Sequence, residues 1–164
     1  MKILRLLSLL FLTLSLAACG KAESTPLAPP AATAAEDQPV ASAEATARWD
    51  ESTQSDSQGE VIVEITPLNL NNPGETLEFA VSLNTHSVDL SMDLAERATL
   101  TTDMGYTVQA LKWDAPRGGH HVSGTLIFPA TLDGKPLLEG ANGLTLSIKS
   151  VDASLRLFSW IRSR

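Results

Sequence analysis

Cysteine is nearly missing from this chain: Cys19 is the only one in 164 residues, so no internal disulfide can staple the fold. Aromatic residues make up only 5%, which leaves the core to aliphatic side chains. Basic residues are outnumbered 12 to 19 by acidic ones, for a net charge of −7. No basic face is large enough to suit nucleic acid or an anionic lipid surface. The local exception, Arg156, Arg162 and Arg164 near the C-terminus, reads as a solvated strand edge protected from aggregation by its charge. Long apolar runs are missing beyond Leu16. The run from Leu6 to Leu16 is itself shorter than the roughly 20 residues that a membrane-spanning helix needs.

What the N-terminus does contain is the layout of a secretory signal, with Lys2 and Arg5 ahead of the Leu6–Leu16 run. It ends in Leu16-Ala17-Ala18-Cys19-Gly20, which resembles the lipobox of bacterial lipoproteins. The resemblance implies removal of residues 1–18, a lipidated Cys19, and membrane attachment through the acyl chains. Gly20 after the cysteine, by the sorting rule of double-membraned bacteria, implies an outer-membrane lipoprotein facing the periplasm if the host has two membranes. Cleavage removes Lys2 and Arg5, leaving 10 basic against 19 acidic residues and a net charge of −9.

Residues 19–58 are rich in Ala, Pro, Ser, Thr, Glu and Gln, with Trp49 as their only aromatic. Such a composition buries too little apolar surface to offset the entropy of ordering. It predicts a flexible tether with a mean span of about 35 Å.

Residues 59–164 have the length of one domain and enough apolar residues for one core. Their pattern is that of strands. Val61, Val63 and Ile65 alternate with the residues between them, as do Leu77, Phe79, Val81 and Leu83, and then Val88, Leu90, Met92 and Leu94. The apolar register changes from odd to even positions between Leu83 and Val88, which requires a turn or bulge at Asn84–Ser87. Further strands are predicted over Tyr106–Trp113, Val122–Phe128, Leu144–Ile148 and Leu155–Ile161, with a short helical turn or loop at residues 95–99. Turn signals such as Asn71-Asn72-Pro73-Gly74, Asp103-Met104-Gly105 and Asp133-Gly134-Lys135-Pro136 separate them. About seven strands at this spacing predict an all-β fold, an immunoglobulin-like antiparallel β-sandwich, with a closed barrel as the alternative.

Thr85-His86-Ser87-Val88-Asp89-Leu90, Leu100 to Gly105, Trp113-Asp114 and Gly118-Gly119-His120-His121 with Gly124-Thr125-Leu126 resemble a family of exported bacterial domains of immunoglobulin-like fold. The resemblance spans nearly all of the chain after the tether. It implies the fold and no particular activity.

All three histidines lie in two of these motifs. In immunoglobulin-like order, Leu77–Leu83 is strand B and Val122–Phe128 strand E, and these pair antiparallel. His86 then meets His120 and His121 at one end of the sandwich. Neutral imidazoles are the common ligands of Zn(II) and Cu(II), and Asp89 and Asp114 are nearby carboxylates in sequence. The candidate metal site is therefore His86, His120, His121, Asp89 and Asp114, for a Zn or Cu ion. Adjacent strand residues point to opposite faces, so pairing His86 with just one of His120 and His121 is the simpler arrangement. The competing reading makes the histidines polar loop residues of a metal-free module that binds an envelope protein. Met92, in register with Leu90 and Leu94, and Trp113 read as core.

No enzyme is expected. The chain lacks Gly-x-Ser-x-Gly, His-Glu-x-x-His and a phosphate-binding glycine loop. Asp114, Ser123 and a neighbouring histidine have the residue types of a hydrolytic triad, but they crowd into ten residues without a nucleophile turn.

Overall fold

A computed structural model describes residues 46–164. The expected signal segment, Cys19 with its expected lipidation, and most of the expected tether lie outside the described residues. The chain from residue 48 onward forms twelve strands: β1 Arg48–Trp49, β2 Gln54–Asp56, β3 Ile62–Pro67, β4 Thr76–Asn84, β5 Ala98–Thr102, β6 Thr107–Gln109, β7 Lys112–Asp114, β8 His121–Pro129, β9 Thr131–Leu132, β10 Lys135–Pro136, β11 Gly143–Lys149 and β12 Leu155–Ser163. One short 3-10 turn, Leu94–Glu96, is capped by Asp93, whose carboxylate accepts from the Ala95 N–H.

Two five-stranded antiparallel sheets, β1-β12-β11-β5-β6 and β2-β3-β4-β8-β7, face each other, and β9 and β10 form a separate hairpin. The fold is the expected antiparallel β-sandwich. Strands β3-β4-β8-β7 take the places of immunoglobulin strands A-B-E-D, while β12-β11-β5 take those of G-F-C with β6 added at the edge. Inward positions alternate along the strands: Leu77, Phe79, Val81 and Leu83 of β4 and Leu144, Leu146 and Ile148 of β11 are buried, and their neighbours are not. Phe79 is central. Its ring meets Phe128 edge-on at 5.6 Å and Trp160 at 5.4 Å.

Four expectations change in the folded chain. The first is the end of the tether, since the folded unit begins near Arg48 rather than at residue 59. Trp49 is 6% exposed, β1 extends the sheet beyond β12, and β2 extends the other beyond β3. Strands of two and three residues are too short to carry a period, so composition alone hides them.

The second is Arg156, which is not on a solvated edge but is wholly buried. Its guanidinium donates to the carbonyls of Val151, Asp56 and Gln58 and pairs with the Asp56 carboxylate. Arg156 alternates in phase with Phe158 and Trp160 on the inner face of β12, where a charge persists only with such a full set of partners.

The third concerns Val88–Leu94, which is a loop rather than a strand. Leu90 and Leu94 are buried, and Val88 and Met92 pack on the core, so the alternating apolar residues close one end of the sandwich instead of lining a sheet. The Thr85 hydroxyl starts this loop by accepting from the N–H groups of Ser87 and Val88. Residues 98 and 99, expected in a helical turn or loop over 95–99, instead begin β5, and only Leu94–Glu96 turns helically.

Lastly, Tyr106–Trp113 is two strands. The chain leaves β6 in one sheet, passes Ala110 and Leu111, and joins β8 of the other sheet as β7. Trp113 is half-buried against the core, as expected.

A candidate histidine site at one end of the sandwich

The pairing of β4 with β8 builds this site. Their nine-residue register runs from Thr76 opposite Pro129 to Asn84 opposite His121. Leu83 and Val122 turn inward at the last buried step, so Asn84 and His121 stand side by side on the outer face. A backbone bond from Thr85 N–H to the His120 carbonyl, at 2.9 Å, closes the ladder. His86 follows directly. The expected meeting of the two histidine motifs is therefore geometric fact: the His86 and His121 rings lie 6.1 Å apart, edge to face at 86°.

Of the adjacent pair, His121 is the one that meets His86. His120 precedes β8 and is exposed, as are both other histidines. The His121 ring is held from the sheet side, where its Nδ1 lies 2.9 Å from Asn84 Oδ1. Asn84 is itself oriented, because its Nδ2 donates to Ser82 Oγ at 3.1 Å. With that amide nitrogen committed, Oδ1 is the acceptor toward the ring. Nδ1 of His121 then carries the proton, and the lone pair is on Nε2.

The carboxylates divide. Asp89 stays at this end: one carboxylate oxygen accepts from Ser91 Oγ at 2.7 Å, and the other lies 3.9 Å from where a Cβ on Gly118 would be. Gly118 and Gly119 both adopt positive φ, 78° and 105°, which turns the chain into the histidine pair as glycine permits. Asp114 does not belong. It is opposite Thr125, four residues along β8 from His121, or about 13 Å at the usual rise per residue. Its carboxylate instead pairs with Lys112 at 3.1 Å on the surface. Among the described residues no three His, Cys, Asp or Glu side chains stand close enough together to hold one ion. Chemically, the arrangement offers two imidazoles and open coordination positions.

Asn84 and Ser82 join the site only through the fold. Their role follows from the β4–β8 register, and the only sequence signal was their phase on the solvent face of β4.

No protein-family model matches the chain, and none of the curated proteins matches it. Among solved structures, a DUF4426 family protein from Pseudomonas aeruginosa PAO1 is similar at 10% identity with a TM-score of 0.40, over 66% of this chain and 94% of that one.

Proposed function

We propose that this chain is a lipid-anchored protein of the bacterial envelope whose sandwich binds a transition-metal ion, Zn(II) or Cu(II), at His86 and His121. The anchor rests on the lipobox-like Leu16–Gly20 and the single Cys19. The metal rests on one observation above all, the Asn84–His121–His86 arrangement. Metal-binding histidines usually give their second ring N–H to an oxygen, which fixes the tautomer and the ring's direction. Asn84 does this for His121.

Two imidazoles bound tetrahedrally to zinc at about 2.0–2.1 Å have ring centres roughly 5 Å apart. From 6.1 Å and an interplanar angle of 86°, the two exposed rings must approach by about 1 Å and the ring presenting its face must turn, so that both free nitrogens reach one ion. Water fills the remaining positions, and Asp89 lies three residues after His86 in the same loop. Two exposed protein ligands with exchangeable positions suit buffering or handing on an ion.

Calorimetric titration of the full chain with Zn(II) and Cu(II) tests the reading. One ion should bind per chain, and acid should release it because only neutral imidazole ligates. His86→Ala and His121→Ala should weaken binding alike, Asn84→Ala by about tenfold through loss of ring orientation, and His120→Ala little. Absence of binding by either metal, or binding indifferent to His86 and His121, would overturn it.

A further inference from the structure

At the other end of the domain's solvent-facing features is a cleft of about 500 Å³ between two tight turns. One wall is the β5–β6 turn. Gly105 there has φ 86°, and backbone bonds from Gly105 N–H to the Thr102 carbonyl and from Thr102 N–H to the Tyr106 carbonyl, both 2.9 Å, hold it. The other wall is the β9–β10 hairpin, whose Asp133-Gly134 pair has φ 52° and 77°, as a two-residue hairpin loop with right-handed strand twist demands. Leu137, 1% exposed, fixes that hairpin to the core, and its N–H donates to the Ala130 carbonyl at 2.8 Å. Both walls are thus set by main-chain bonds, and the cleft is preformed.

What fills these turns is unexpected for turns. Met104 is 57% exposed and Tyr106 48%, at positions where small polar residues would serve the backbone equally well. Their side chains face the cleft, with Leu132 and Pro136 opposite. An apolar centre rich in Tyr and Met under a polar rim is the composition of a protein-binding surface. The rim is Asp133, Glu139 and Lys135, and none of the three is ion-paired among the described residues. Two carboxylates against one ammonium, on a chain of net charge −7, favour a cationic occupant both at contact and during approach.

We infer that this cleft docks a basic peptide segment of a partner protein, with an apolar side chain seated between Met104 and Pro136 and a neighbouring lysine or arginine on Asp133 and Glu139. Tyr106 offers its ring to the apolar anchor or to the cation. The inference is independent of the histidine pair, so its test is run with a chelator present, where failure of the metal reading has no effect.

A random peptide display library selected on the full chain is the probe. It should enrich sequences in which Lys or Arg flanks a large apolar residue. A selected peptide, measured by fluorescence anisotropy, should bind at least about tenfold more weakly to Met104→Ser and to Tyr106→Ser, the scale of an interface anchor, with thermal melts of the exposed-site variants unchanged. Asp133→Asn combined with Glu139→Gln should weaken binding and flatten its salt dependence. No enrichment, enrichment of acidic or uncharged sequences, or peptides that bind the serine variants as well as the parent would overturn the proposal.

Discussion

Replacing Asp56 by alanine should be among the most damaging single changes available on this domain, although β2 is only three residues long. Arg156 is fully buried and Asp56 largely so, their side chains being 0% and 15% exposed. The change leaves the guanidinium its three carbonyl acceptors, from Val151, Asp56 and Gln58, but removes the only negative charge paired with it among the described residues. Breaking a buried pair from one side costs about 3–5 kcal/mol, a large share of the roughly 5–15 kcal/mol that folds a domain. At about 3–6 °C per kcal/mol for a domain of this length, the midpoint should fall by roughly 10–25 °C. Urea denaturation followed by tryptophan fluorescence reads the cost, because Trp160 lies on the same strand and donates to the Ser52 carbonyl of the same N-terminal segment. Asp114→Ala is the control, since the exposed Lys112–Asp114 pair is worth about 0–1 kcal/mol. Acid supplies a second reading of the same pair. Burial pushes the Asp56 carboxyl up, but donors from Gln58 and the Arg156 guanidinium outweigh it and hold its pKa below the ordinary carboxylate value. A group lowered on folding stabilises the native state fully above its unfolded pKa and loses that contribution as pH falls through the lowered one. The parent should therefore lose stability below about pH 4 more steeply than Asp56→Asn. A cost for Asp56→Ala no larger than that for Asp114→Ala, with parallel acid profiles for parent and Asp56→Asn, would refute the clamp.

At Gly124 an added Cβ would lie 2.4 Å from both the Ala115 Cβ and the Asp114 carbonyl oxygen, so Gly124→Ala must push the chain after β7 away from β8; a loss of about 1–3 kcal/mol is expected, and an unchanged urea midpoint would show that the edge yields freely. On the proposed anchoring through acyl chains, Cys19→Ser should abolish labelling by palmitate and release the protein from membranes; continued membrane retention of the unlabelled variant would refute that anchor.

Period-2 alternation made the long strands legible. Leu77–Leu83, Val122–Phe128 and Leu144–Ile148 each bury one face, and a single-residue slip would expose the whole set. The same logic made the histidine end readable, because recognising B and E in the strand order was enough to bring His86 beside the His120-His121 motif. It failed where alternation has a second cause. Val88–Leu94 alternates because a loop laid over the open end of a sandwich buries every second residue, just as a strand does.

Local sequence therefore determined the existence and inward face of β3, β4, β8 and β11 and the adjacency of the two histidine motifs, since these depend on neighbours two residues apart and on one familiar pairing. Only the tertiary structure decided that Trp49 and Asp56 belong to the fold, that Arg156 is interior, that Asp114 faces Lys112 rather than the histidines, and that Asn84 orients His121. Apart from the Lys112–Asp114 pair, each of these is a contact between residues distant in sequence, a hundred apart for Asp56 and Arg156. Its strength comes from partners and from burial that no local pattern encodes.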